Sequence, residues 1–201
     1  AQAARAERLF PFRNHGYVFD QMNGPQSQLP AFLINIHRVA NVAEAEAYIS
    51  RIRGLGPLLD ALNAESVKRA ANGVQPPKWV YPYLISDIGN LQGPNNAVVE
   101  DFAAKVARLE IDAAEKSRLT AAAKAAWADS AGPAYARLLA ELKRQQAVAP
   151  TQDGVWRLPD GQAYYEALLA SYTTTDMTAT EIHNLGLAEV ARIHGEMKAI
   201  M

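Results

Sequence analysis

The chain of 201 residues contains no cysteine. Disulfides, thiolate-held metals and a cysteine nucleophile are thereby excluded, and the redox compartment stays open. An excess of charge is also missing: 20 Lys and Arg stand against 21 Asp and Glu, a formal net charge of -1. Nothing in that balance points to nucleic acid or an anionic membrane as partner. No uncharged apolar run approaches the roughly 20 residues needed to span a bilayer. Ala1 to Glu7 is polar and short and does not read as a signal peptide. If the parent is periplasmic or secreted, its targeting segment has been removed or lies outside this sequence.

Several catalytic signatures are absent too. There is no G-x-S-x-G elbow. Gly54, Gly56 and Pro57 resemble a phosphate loop only superficially, because the lysine and following hydroxyl of that motif are lacking. A zinc helix needs histidines at i and i+4, and His15, His37, His183 and His194 include no such pair.

What is abundant is alanine, roughly a fifth of the chain, which favours helix. The expectation is an all-α fold: an irregular multi-helix array with one long helix, kinked or nearly continuous. It forms a single helical region over 1–201, part of a larger domain, with 1–30 as an irregular lead-in rich in aromatics, proline and glycine, in which Ala1 to Arg8 reads as a frayed helix or the tail of one. Ala31 to Val39 reads as a short helix. Asn41 with Glu44 is a cap-plus-acid signal opening a helix to about Arg53. Gly54 and Gly56-Pro57 should break it, a new helix running from Pro57 to Asn72 with Gly73 as its stop. Pro82 should be confined to the first turns of the segment after Pro76-Pro77, or kink it. Val98, Val99, Phe102, Val106 and Leu109 draw an apolar stripe. Asp112 and Glu115 open a pattern that runs to about Ala149, interrupted only at Gly132-Pro133. Pro150 to Pro159 connects, with a brief extended pair around Trp156.

The last stretch, Tyr164 to Met201, carries the clearest local signals. Tyr164 to Tyr172 reads as a helix with Asp160 as N-cap, and Thr173, Thr174 and Thr175 as a stiff, extended connector. Thr178 and Glu181 make a capping box. Beyond it Ile182, Gly186, Val190, Ile193, Met197 and Ile200 recur at steps of three and four, one apolar face. Gly186 suggests close approach of a neighbouring helix. That apolar stripe reaches the last turn without a stop signal, so the chain reads as cut from a larger core, one that self-associates or docks with its missing parts.

Candidate chemistry is thin. His183 and His194 share a helix face but lie roughly 16 Å apart along it, too far for one metal. His183 is a candidate lining residue of a substrate channel, against the plainer reading of a histidine at the edge of an interhelical contact. His37 reads as a partly buried, hydrogen-bonded residue, and His15 carries no pattern. Trp79, Tyr81 and Tyr83 could line a peptide groove, although aromatics at such spacing more often anchor a core. The acids Glu100, Asp101, Asp112 and Glu115 read as solvent-facing or capping.

The string YTTTDMTATEIHNLGLAEVARIHGEM resembles a segment of the bacterial family catalogued as domain of unknown function 885. The similarity continues in FRNHGYVFDQMNGPQSQLPAFL and AEAYISRIRGLGPLLD and covers most of the chain. Members of that family are longer and resemble helical zinc metallopeptidases. Their zinc helix has the form His-Glu-Ala-x-Pro-Gly-His with a further glutamate downstream, the motif glutamate serving as general base. No position here matches that motif. The resemblance implies a middle portion of a peptide-hydrolysing parent: zinc for the full-length protein but no cofactor, metal ligand or catalytic residue in this chain. It also implies that the threonine connector and the helix after it form part of the cleft wall, with His183, Tyr172, Trp79 and Tyr81 as its candidate lining. The competing expectation is a self-sufficient helical binding or scaffold module without catalysis.

Overall fold

A computed structural model describes residues 2–93 and 95–200, excluding the side chain of Gln2. Its secondary structure is all-helical, with no strand among the described residues. The expected single region divides into two compact units, Tyr17–Gln152 and Ala1–Gly16 with Asp153–Met201. Each is considered separately.

The larger unit begins with α2, Pro25–Asn35, following α1 of the smaller unit (Gln2–Leu9). Helix α2 therefore begins at Pro25, inside the lead-in expected to be irregular up to Pro30, rather than at Ala31. Pro25 occupies the first helical position, where its missing N–H costs nothing, and Pro30 is carried inside the helix. At the other end of α2, Lys105 Nζ donates to the carbonyls of Leu33, Ile34 and His37 at 3.0, 2.7 and 3.0 Å. A cation thus satisfies acceptors that a helix end leaves orphaned.

Next comes α3, Val42–Ala71, a single helix of 30 residues. Its start is as expected: Asn41 Oδ1 accepts from Glu44 N at 2.9 Å, and Glu44 Oε2 accepts from Ala40 N at 2.7 Å. The expected break at Gly54–Pro57 does not occur. Pro57 removes the N–H that would pair with the Arg53 carbonyl, and Ser130 Oγ donates to that carbonyl at 2.7 Å instead. Gly56 lets the Ser130 segment come this close, since a Cβ there would collide with the Ser130 side chain. The stop at Gly73 is as expected. Gly73 has φ 80°, Val74 N donates to Arg69 O, and Gly73 N to Ala70 O, a Schellman closure.

After a 3-10 turn at Lys78–Val80, α4 spans Tyr81–Gly89 with Pro82 in its first turn; α5 covers Ala97–Ala107. Then α6 (Ala113–Ala126), a π segment (Trp127–Ala131) and α7 (Gly132–Val148) run as one rod of 36 residues. The π turn sits directly before Gly132-Pro133, with Gly132 N donating to Trp127 O five residues back. The wider turn is how the rod passes its proline without ending.

The core lies where α3 packs against this rod, with α4 on α7 and α5 on α6. Tyr48, Ile49, Ile52 and Leu59 meet Leu119, Trp127, Leu138 and Leu142, all fully or almost fully buried. The α5 stripe is buried throughout, as its spacing predicted. Trp127 and Tyr135 stack with ring centres 5.7 Å apart.

In the smaller unit, α1 packs against α8, Gly161–Thr173. The extended pair expected around Trp156 is a 3-10 turn, Val155–Arg157, launched by Gly154 at φ 92°. Asp160 precedes α8 as expected but adopts φ 51° and makes no side-chain cap. Last is α9, Ala179–Ile200. Its capping box forms: Glu181 Oε2 accepts from Thr178 N at 2.7 Å and Thr178 Oγ1 from Glu181 N at 3.3 Å. No described residue of α9 is buried. Nothing among the described residues lies within 4 Å of a Cβ placed on Gly186, so the expected helix neighbour is not there.

Candidate functional site

The threonine connector is a closed turn rather than the extended link its β-branched residues predict. Thr173 is the last residue of α8, and its Oγ1 donates to Leu169 O at 2.8 Å, the local bond that competes with helix continuation. Thr174 then takes the left-handed conformation, φ 57° and ψ 22°, normally left to glycine or asparagine. Its hydroxyl donates to Thr173 O at 2.7 Å, while Thr173 Oγ1 and Thr175 Oγ1 lie 3.0 Å apart. A β-branched residue held there stores strain of about 1–3 kcal/mol.

This turn forms one side of a cavity of about 400 Å³, whose other side is α1. Arg5 and Arg8, one helical turn apart on α1, face Ala170, Ser171, Thr174 and Thr175 across it. The Arg5 guanidinium sits over the Tyr172 ring, 5.3 Å from its centre. Arg8 is 3.8 Å from Asp176, whose side chain is 96% exposed, so the pair is loose and solvated. Ser171 is 8% exposed, and its Oγ is buried without a hydrogen-bond partner.

Close by in sequence, Phe12, His15 and Tyr164 form a ring cluster with centres 5.0 to 5.5 Å apart. His15 Nε2 lies 2.6 Å from the Pro159 carbonyl. That contact places the proton on Nε2 and leaves Nδ1 an acceptor with no partner. The sequence offered no sign of this, because the partners are some 144 positions apart.

The larger unit holds its own polar cluster. Arg51 donates to His37 Nδ1 at 2.6 Å, beneath the Tyr48 ring. Burial, and then the Arg51 charge, hold His37 below its ordinary pKa, as expected of a hydrogen-bonded interior histidine. Tyr48 donates to Asp101 at 3.2 Å, and Lys105 pairs with Asp101 at 2.7 Å. Burial first, then the Asp101 charge, raises the Tyr48 phenol far above its usual value. The cluster is closed by its own partners and serves to end α2.

The four candidate cleft residues fall in different settings. His183 is exposed on α9, and Tyr172 is 75% exposed beside the cavity. Trp79 is 50% exposed, edge-on to Tyr83. Tyr81 is fully buried and donates to Gln145 Oε1 at 3.1 Å. It is a core anchor and presents no surface to a ligand, which corrects its placement on a cleft wall. Tyr172 and His183 belong to the smaller unit, Trp79 and Tyr81 to the larger. Among the described residues no three His, Asp or Glu side chains converge as metal ligands.

No curated protein matches this sequence. A solved structure described as "the putative lipoprotein from Colwellia psychrerythraea" is similar, with a TM-score of 0.80 and 25% identity. The similarity covers 90% of this chain and 32% of that one, so the chain spans about a third of the length of that relative. The model of the family described as bacterial protein of unknown function, DUF885, matches residues 1–201 from end to end, and the chain belongs to that family.

Proposed function

We propose that this chain is a helical, non-catalytic portion of a larger zinc-metallopeptidase-like protein that hydrolyses peptides. The observation that carries the reading is α9, 22 residues long with no buried residue, in a chain that spans 32% of a similar structure. Leu187, Val190, Met197 and Ile200 are each more than half exposed on that helix. An apolar helix face of this extent is a docking surface, and its occupant in this reading is the remainder of the longer protein, which also supplies the zinc ligands and the general base. Within the smaller unit, exposed Tyr172 and His183 are then available to a substrate cleft. The description of the relative as a lipoprotein supports an exported, membrane-attached parent.

The test compares the 201-residue chain with the longest reading frame that contains it, by zinc content after dialysis and by hydrolysis of a peptide mixture. Zinc and hydrolysis are expected only in the longer protein, together with a His-Glu zinc motif in its added sequence. Stoichiometric zinc in the 201-residue chain, or neither property in the longer one, would overturn the reading. The second reading, a binding module without catalysis, is favoured by the cavity between α1 and α8, which needs nothing from outside its own unit.

A further inference from the structure

The cavity between α1 and α8 combines three things that are costly unless used. It gathers two positive charges, Arg5 and Arg8, on one wall. Among the described residues the only carboxylate lining it is Asp176, held at 3.8 Å from Arg8 and almost fully in solvent, so none of them gives either arginine a close, dry partner. Behind them Ser171 Oγ is buried without a partner. A serine in a helix ordinarily donates to the carbonyl four residues back, as Thr173 does to Leu169. Ser171 does not, and a buried hydroxyl left unpaired is destabilising. Finally, Thr174 is held at positive φ on the rim. Backbone strain of this kind persists where surrounding structure enforces it.

We infer that this cavity is a binding site for the carboxylate end of a peptide, its terminal side chain apolar. The two guanidinium groups match a carboxylate in charge and in donor geometry. Stacking on Tyr172 keeps Arg5 ordered, lowering the entropy lost on binding. Ser171 lines the same cavity, and its unpaired hydroxyl is a further donor for the carboxylate. Ala4, Ala170 and the threonine methyl groups give the cavity an apolar lining suited to a side chain of leucine size. The hydroxyls of Thr174 and Thr175, together with Asp176, supply hydrogen-bond partners for amide groups, which favours a peptide over a simple acyl acid. The inference stands whether or not the parent is a peptidase, since it uses residues of this unit alone.

Isothermal titration of the 201-residue chain with acetyl-Ala-Leu, its C-terminal amide and hexanoate tests it. Binding of the free acid, roughly tenfold or more weaker binding of the amide, and weaker binding of hexanoate are expected. Arg8→Gln should weaken the free acid and leave the amide unchanged. Ser171→Ala separates ligand binding from folding, because removing an unpaired buried hydroxyl should raise the melting temperature while weakening the free acid. Equal binding of acid and amide, or no binding, would overturn the site. Hexanoate binding as tightly as the peptide would overturn the peptide assignment. A Ser171→Ala variant that melts lower and binds unchanged would show that the hydroxyl serves the fold.

Discussion

The Tyr135 hydroxyl donates to the carbonyl of Gln26 at 3.3 Å, and Gln26 stands four residues before Pro30, which has no N–H to offer it. A side chain on α7 therefore supplies the donor that a proline removed from α2. The same substitution occurs on α3, where Ser130 of the π segment donates to Arg53 O in place of Pro57. Both prolines remain inside helices because the rod Ala113–Val148 brings a hydroxyl to each broken rung.

Tyr135→Phe should cost about 1–2 kcal/mol of unfolding free energy, the penalty for an unpaired buried carbonyl. In a Pro30→Ala background the new N–H can reach Gln26 O, so the same change should cost measurably less. Urea denaturation of the four proteins gives the coupling directly. Equal costs in both backgrounds would show that the hydroxyl does not compensate for Pro30.

Glycines two positions apart should behave oppositely. Gly54 has open space where its Cβ would go, so Gly54→Ala should stabilise by up to about 1 kcal/mol through helix propensity. Gly56 lies against Ser130, so Gly56→Ala should destabilise by about 1–3 kcal/mol through overpacking. Melting curves of the two variants decide it, and a shift of both in the same direction would contradict the close approach.

These relationships explain which parts of the fold were legible in sequence. Caps at Asn41, Asp112 and Thr178, the Schellman glycine Gly73 and the α5 stripe are local rules, and local rules govern them. The uninterrupted α3 and the early start of α2 were not legible, because the carbonyls of Arg53 and Gln26 that their prolines leave unpaired are served by Ser130 and Tyr135, some 77 and 109 positions away. The threonine connector misled for a different reason. β-branching predicts an extended backbone, whereas the Thr173 bond to Leu169 and the strained Thr174 make a turn. Of the cavity, the sequence exposed only Tyr172 and the threonines; Arg5 and Arg8 lie more than 160 residues upstream and carry no motif.

His37 should make stability pH-dependent. Its folded pKa lies below the ordinary value, with burial the first cause, Arg51 the second and Lys105 a further one; Glu44 opposes them. Above about pH 6.5 the histidine is neutral in both folded and unfolded chains, so its burial costs nothing extra. As pH falls below that value the unfolded chain takes up a proton and the folded chain does not, so stability declines until the lower folded pKa is passed. His37→Gln, which keeps an acceptor for Arg51, should flatten the fall in melting temperature between about pH 6.5 and 5. An unchanged slope would mean that another group sets it.

The α9 face should govern the solution behaviour of the 201-residue chain. Ile182, Val190, Ile193, Met197 and Ile200 lie within about 80° of one another around the helix, with Leu185 and Leu187 flanking them. Val190 is 51% exposed, Met197 54% and Ile200 87%, so the face is wet along its length. Along one edge of that face Arg192 pairs with Glu189 and Glu196, which gives α9 support of its own. A stable amphipathic helix with one uncovered face is a ready partner for a copy of itself. Self-association at micromolar concentration is therefore expected in sedimentation velocity. Val190→Glu combined with Ile193→Glu should return the chain to a monomer without loss of helical circular dichroism, since both sites are exposed and glutamate is a good helix former. A wild-type chain that sediments as a monodisperse monomer and binds no hydrophobic dye would show that the face needs no partner, and would weaken the case for a larger protein around it.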